Sequence, residues 1–312
     1  MARMNEQDIL ELTAESSDRL DKMLARQLGD RFSRSFLRGL IDAGQVTVNG
    51  LPAKASAAMR GGEQIQVHLP RKSETVEPEA IPLTVLYEDV HLAVIDKPAG
   101  MTAHPGVHDE KGTLVAALLH RWPQVAQMNV TAKRAGIVHR LDRDTSGVMV
   151  VALTDLARRQ LMAQFARPAG AQSVEKVYLA LLEKTPPSAA GRVDAPLARD
   201  PADDRRMRVY VGGDPAVTEY RVLETFAGGQ ALVQVNLLTG RTHQVRVHMA
   251  HLGCPLVGDK VYGWADGLPL ERHFLHAASL RFDHPATGER LTFESPLPAT
   301  LLNLVERLRR SS

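Results

Sequence analysis

The stretch His139-Arg140-Leu141-Asp142-Arg143-Asp144-Thr145-Ser146-Gly147 constrains this chain more than any other. Ala135-Gly136-Ile137-Val138 leads into it and Val148-Met149-Val150-Val151-Ala152-Leu153 leads out. Charge and hydroxyl are therefore concentrated where the backbone enters a buried strand. Read as extended chain, the alternation of side chains puts Arg140, Asp142 and Asp144 on one face and His139, Leu141 and Arg143 on the other. A carboxylate set between arginines there stays ionised where an isolated one would not. Two outcomes fit these residues: a carboxylate nucleophile, or a strand-end ion-pair network without chemistry.

Other separated motifs accompany the nonapeptide: Asp96-Lys97-Pro98-Ala99-Gly100, His104-Pro105-Gly106, Lys176-Val177-Tyr178-Leu179-Ala180, and Gly240-Arg241-Thr242-His243-Gln244-Val245-Arg246-Val247-His248. In this order the set resembles the RluA-type pseudouridine synthases, over residues 19–309, and most nearly the branch that acts on large-subunit ribosomal RNA. The resemblance implies that Asp142 is the catalytic residue and that Arg241 is its partner in the active site. It implies that Tyr178 stacks on the target base and is a candidate for the final proton transfer. Arg140 matches an arginine that fills the base stack when the target nucleotide leaves it.

At 312 residues the chain is long enough for two domains with a substantial core. A hydrophobic content of 44% and a charged content of 24% are ordinary for a soluble globular protein. The net charge is only +2, so any nucleic-acid footprint must be local. The single Cys254 excludes an internal disulfide and fits a reducing compartment. No apolar stretch near the N-terminus reads as a secretory signal, and no run approaches a membrane span. A cytoplasmic protein, with no membrane partner and monomeric by default, is the expectation.

Residues 1–18 are polar and expected to be loosely held. Leu20, Met23, Leu24 and Leu28 then recur at helical spacing, with Gly29 as a stop. A second helix is expected from Ser33 as N-cap to Ala43, with Phe36, Leu37, Leu40 and Ile41 inward and Gly44 ending it. Val46 and Val48 alternate, Asn49-Gly50 turns the chain, and Ile65, Val67 and Leu69 alternate again. This unit, residues 19–70, resembles the S4 RNA-binding domain, down to Ser33-Arg34-Ser35 and Val48-Asn49-Gly50. Between residues 19 and 60 lie eight basic residues (Arg19, Lys22, Arg26, Arg31, Arg34, Arg38, Lys54, Arg60) against three acids (Asp21, Asp30, Asp42). Arg34 and Arg38 are one helical turn apart. With Arg31 they are candidate phosphate contacts, unless the run is simply a solvated helix face. With few aromatics for stacking, recognition of folded RNA by shape suits the unit better than single-strand binding.

Residues 71–82 (Lys72, Ser73, Glu74, Thr75, Glu77, Pro78, Glu79 and Pro82 among them) read as a linker. The second domain, 83–312, opens with strands at 83–87 and 91–96. A helix capped by Thr113, a buried strand at 148–153 and a helix capped by Thr154 follow. Further strands are expected at 176–183, 217–225 and 231–238, and an amphipathic helix at 300–310. Residues 199–208 read as a polar loop whose Arg205, Arg206 and Arg208 form a second basic cluster for RNA. Strands and helices intermix without βαβ regularity, so the fold class is α+β. The resemblance makes the second domain a pseudouridine synthase domain with a mixed, mainly antiparallel sheet.

Thr242 reads as the N-cap of a helix carrying Val245, Met249 and Leu252, which sets Arg241 beside a helix N-terminus where an anion is stabilised. His243, His248, His251 and Cys254 are separated by five, three and three residues, lack any CxxC or HExxH pattern, and read as hydrogen-bonding groups rather than metal ligands. His104 and His108 are given no catalytic role.

The reaction implied is conversion of uridine to pseudouridine in RNA, with the target base unstacked at a cost of roughly a few kcal/mol. No group is lost and no oxidation state changes, so no cofactor and no metal is expected. The partner implied is large-subunit ribosomal RNA or a pre-ribosomal particle. Two rivals from other classes stand beside this reading. Asp144-Thr145-Ser146-Gly147 only loosely resembles an aspartic-protease loop and has no second copy. A non-catalytic RNA-binding assembly factor would use both basic clusters without chemistry.

Overall fold

In the computed structural model of the chain, residues 9–29, 31–32, 34–69, 75–105, 111–168, 170 and 173–311 are described. The Ser33 cap, His108 and Lys72–Glu74 of the expected linker lie outside them. The chain divides into two compact units, residues 1–75 with 129–132, and residues 76–128 with 133–312.

The small unit contains β1 (Ile9–Thr13), β2 (Asp18–Arg19), α1 (Leu20–Leu28), α2 (Arg34–Asp42), β3 (Val46–Val48), β4 (Leu51–Pro52), β5 (Ala58–Met59) and β6 (Gln64–His68). Its main sheet runs β1-β6-β3-β4. The helical stripe read from sequence is the one that is buried: Leu20, Met23, Leu24 and Leu28 of α1 meet Leu37, Leu40 and Ile41 of α2 over Val46, Ile65 and Val67. Each such side chain contributes about 1.5–3 kcal/mol on burial. One expectation is corrected here. Residues 9–13 are not loose; they pair antiparallel with β6, because Leu10 and Ala14 belong to the same core.

The large unit begins at Val76, several residues before the expected boundary, because Glu79 is tied down: its N–H donates to the Ala116 carbonyl and its carboxylate accepts from Gly112 N. It contains β7 (Thr84–Glu88), β8 (Leu92–Lys97), α3 (Leu114–Arg121), β9 (Ser146–Ala152), α4 (Asp155–Ala166), β10 (Glu175–Leu182), β11 (Ala190–Asp194), β12 (Leu197–Asp200), β13 (Asp203–Val209), β14 (Val217–Thr225), β15 (Ala231–Leu237), α5 (Gln244–His251), β16 (Leu275–Asp283), β17 (Arg290–Glu294) and α6 (Ala299–Arg310). Thr113 and Thr154 cap α3 and α4 through side-chain oxygens that accept from Ala116 N and Ala157 N. A nine-stranded sheet runs β11-β14-β15-β10-β16-β9-β8-β7, with β17 also on β16. The fold is α+β and the sheet mainly antiparallel. Its parallel pairing, among the described residues, is β9 with β16, where Ser146 lies against His276 and Gly147 against Ala277.

At that seam Gly147 has φ +119, and a Cβ there would collide with the Ala277 backbone. Only glycine lets the two strands approach so closely. The expected polar loop at 199–208 is instead the β12–β13 hairpin. Met207 and Val209 pack with Leu197, Ala216 and Val247, while Arg206 and Arg208 alternate with them, so a period-2 strand lies under the charge.

Candidate active site

The nonapeptide is not extended. Residues 139–145 form a loop that enters β9, and its turn is closed by Thr145 N donating to the Asp142 carbonyl. Arg140, Asp142 and Asp144 therefore do not share a face by strand alternation. A neighbouring turn holds the loop instead. Lys97, fully buried, donates from Nζ to the carbonyls of Pro98, Met101 and Arg143, and Gly100 N donates to the same Arg143 carbonyl. Burial lowers the Lys97 ammonium to about 8, against the pull of Asp144 and Asp142. Arg272 adds donors from the other side, to the Asp144 carbonyl and Ser146 Oγ. His139 accepts from Val150 N at Nε2, stacks on Phe165 with ring centroids 4.4 Å apart, and is pushed down to about 3 by burial.

The Asp142 carboxylate faces a cleft of about 610 Å³. That volume suits a nucleoside-sized ligand. Arg140, Tyr178, Lys176, Arg241, His243 and Arg246 line the same cleft. Tyr178 lies on β10, buried, and burial together with the Asp142 charge raises its phenol well above the ordinary range, so it stays protonated. Lys176, two residues earlier, donates to the Thr239 carbonyl and is lowered to about 8 by burial.

The cation that meets Asp142 is Arg246, not Arg241. Arg246 Nη1 donates to Asp142 Oδ2 at 3.3 Å. Its Nε and Nη2 make a paired contact with Asp259, at 2.7 and 2.8 Å. Such two-pronged guanidinium–carboxylate geometry is strong and directional. Burial by itself would raise the Asp259 carboxyl; the Arg246 hydrogen bonds and charge, with the Val261 and Tyr262 N–H groups, hold it below the usual range. Gly258, at φ +72, would carry a Cβ into the Arg272 carbonyl and so marks the tight turn that delivers Asp259.

Arg241 turns elsewhere for a local reason. Gln244 Oε1 accepts from Arg241 N and from Thr239 Oγ1, fixing the backbone before α5. The Arg241 guanidinium then donates from Nε to the Pro215 carbonyl and lies 3.9 Å from Asp214. Thr242 is likewise not the cap; the cap position is His243, in the left-handed region at φ 56, and no side chain caps the helix there. His243, His248, His251 and Cys254 do not converge: His248 bonds Thr218 Oγ1 and the Ala195 carbonyl, and Cys254 Sγ points to the carbonyls of Thr185 and Leu252.

The expected RNA contacts have mixed surroundings. Arg34 lies 3.6 Å from Asp21 and Arg38 3.0 Å from Asp42, so part of the local positive excess is already met. The Arg31 guanidinium lies over the Phe32 ring, Arg206 over Tyr262 and Arg208 over Tyr210, while Arg205 pairs with Asp203. Arg246 and Asp259 escaped the sequence reading. The signal in the sequence is an arginine set between Val245 and Val247, and the structure buries all three: a guanidinium inside such a helix needs a carboxylate.

A family model described as RNA pseudouridylate synthase matches residues 91–251, and an S4 domain model matches residues 18–65. The chain is 44% identical over 308 residues to the ribosomal large subunit pseudouridine synthase D of Xanthomonas campestris, covering 94% of this chain and 90% of that protein. It is 39% identical to an uncharacterized RNA pseudouridine synthase of Bacillus subtilis, covering 99% of this chain and 100% of that one. Among solved structures, human RNA pseudouridylate synthase domain containing 1 is similar at 28% identity and a TM-score of 0.56, over 74% of this chain and 96% of that chain.

Proposed function

We propose, from the premise that this chain belongs to the RNA pseudouridylate synthase family, that it converts uridines of large-subunit ribosomal RNA to pseudouridine with Asp142 as nucleophile. The observation that carries the reading is the Asp142 carboxylate, held by Arg246 at 3.3 Å, in a cleft that also contains Tyr178. A carboxylate attacking the base or the sugar carbon must be a free anion facing the substrate. Arg246, anchored from behind by Asp259, orients it without covering it. The protonated Tyr178 holds the flipped base, and Arg140, exposed at the cleft, takes the vacated place in the stack. Arg241 serves the RNA backbone rather than the carboxylate.

The S4 domain supplies shape and phosphate contacts through Arg31, Arg34 and Arg38; Arg205, Arg206 and Arg208 supply more from the hairpin. Naming of the Xanthomonas relative supports the large-subunit target. No helix among the described residues is long and apolar enough to cross a membrane. The reading takes the protein as a cytoplasmic monomer whose partner is ribosomal RNA or a pre-ribosomal particle.

The test is Asp142→Asn incubated with large-subunit ribosomal RNA, with pseudouridine mapped chemically. The expected result is no product with RNA affinity retained. Product at the wild-type yield would remove Asp142 from its role, and wild-type protein giving none would favour an assembly factor.

A further inference from the structure

His243 Nε2 stands 3.9 Å from Asp142 Oδ2, with its side chain 19% exposed. It is one of two non-glycine residues at positive φ among the described residues. Strain of that kind persists where surrounding contacts hold it, and it gathers at functional sites. What holds this imidazole is Tyr262. Its hydroxyl lies 2.9 Å from His243 Nδ1, and the two rings meet edge to face.

Tyr262 is itself fixed from several sides. Met207 N of the β12–β13 hairpin donates to its hydroxyl oxygen at 2.8 Å. Its own N–H donates to Asp259. The guanidiniums of Arg206 and Arg246 lie over its ring, 5.3 and 5.1 Å from the centroid. The Met207 N–H can only donate, so the phenol oxygen accepts there and its own proton is left available to His243 Nδ1, 2.9 Å away. Burial raises the Tyr262 phenol, which keeps that proton. Burial also lowers His243, against the opposing pull of Asp142, so the ring is neutral. A neutral ring that accepts at Nδ1 carries its hydrogen on Nε2, the nitrogen nearest Asp142.

We propose that Tyr262 is a positioning residue that holds His243 in the tautomer whose Nε2–H faces the Asp142 carboxylate. The role rests on Asp142 being the working carboxylate. Arg246 already bonds Oδ2; His243 adds a second, neutral donor on the cleft side, which closes on the carboxylate when substrate excludes water. Such a donor steadies the orientation of the carboxylate without adding a second full charge that would blunt it.

The test combines nitrogen NMR of ¹⁵N-histidine-labelled full-length protein, without RNA, with single-turnover kinetics on ribosomal RNA. His243→Gln assigns the resonance, and Tyr262→Phe removes only the hydroxyl. The expected wild-type signal has Nδ1 unprotonated and Nε2 protonated, and Tyr262→Phe lets the other tautomer appear. The maximal rate should fall about tenfold with half-saturating RNA unchanged, the scale of one lost hydrogen bond. In His243→Gln, whose amide donates without needing Tyr262, adding Tyr262→Phe should cost nothing further. An unchanged tautomer in Tyr262→Phe, or additive losses in the double variant, would overturn the proposal. Activity in Asp142→Asn would strike the nucleophile assignment, while the tautomer, read without RNA, still judges the Tyr262 link by itself.

Discussion

Arg246 Nη1 lies 3.3 Å from Asp142 Oδ2 although 104 residues separate them in the chain. The same guanidinium is clamped by a fully buried Asp259. Substitution should therefore separate the two arginines of the Gly240–His248 motif. Arg246→Gln should lower the single-turnover rate by roughly two to three orders of magnitude, as loss of a preorganised charge contact does. Arg241→Ala should leave that rate within a few-fold at saturating RNA and raise the RNA concentration needed, since its guanidinium faces Pro215 and Asp214. Rapid-quench assays on both variants, with circular dichroism to confirm folding, check the contrast.

Lys97→Met should destabilise the large unit. The substitution keeps most of the side-chain volume but takes the Lys97 donor from the Pro98 and Met101 carbonyls and leaves the Arg143 carbonyl with Gly100 N alone, at a cost of about 2–4 kcal/mol. Urea unfolding measures it directly. A loss below about 1 kcal/mol would mean that water replaces the ammonium without penalty.

Acid should weaken the fold through His273. Its ring is buried, bonds Thr145 Oγ1 at 2.9 Å, and is pushed down to about 4 by burial, with the Arg246 charge adding to the effect. In the unfolded chain the same imidazole takes up a proton near its ordinary value of about 6.5. Below that value the unfolded state binds more protons than the folded one. The stabilisation is thus complete above pH 6.5 and is lost as pH falls toward about 4, on the order of 3 kcal/mol in all. Urea midpoints between pH 7 and pH 4 should fall less steeply in His273→Gln than in the parent.

Replacing Arg31, Arg34 and Arg38 together by alanine should weaken RNA binding without changing which uridines react. If each meets one phosphate, the slope of log Kd against log salt should shrink by about two to three. Arg34 and Arg38 are also held by Asp21 and Asp42, so Asp21→Asn and Asp42→Asn should tighten binding. Titrations at several salt concentrations decide both points.

Periodicity carried the elements. The stripe at Leu20, Met23, Leu24 and Leu28 and the strand at Val217–Thr225 lie where their spacing put them, because apolar alternation reports directly on which face is buried. Charge was harder to read. Nothing local says which of Arg241 and Arg246 reaches Asp142, since the answer depends on the Gln244 side chain locking the preceding turn and on Asp259 arriving from another segment. The nonapeptide reads as extended from its sequence because its flanks are strand-like. What bends it, the Lys97 ammonium reaching across to the Arg143 carbonyl, is a contact between residues 46 apart. The Arg205–Arg208 cluster hid a strand because the apolar Met207 and Val209 are outnumbered by their charged neighbours.

The parallel pairing of β9 with β16 joins Gly147 to Ala277, across more than a third of the chain. A growing polypeptide cannot form that pair until Ala277 has left the exit tunnel. Until then Arg272 has not arrived to donate to the Asp144 carbonyl in the loop that carries Asp142. The loop around Asp142 therefore waits, unbraced, on a strand that is made well after it.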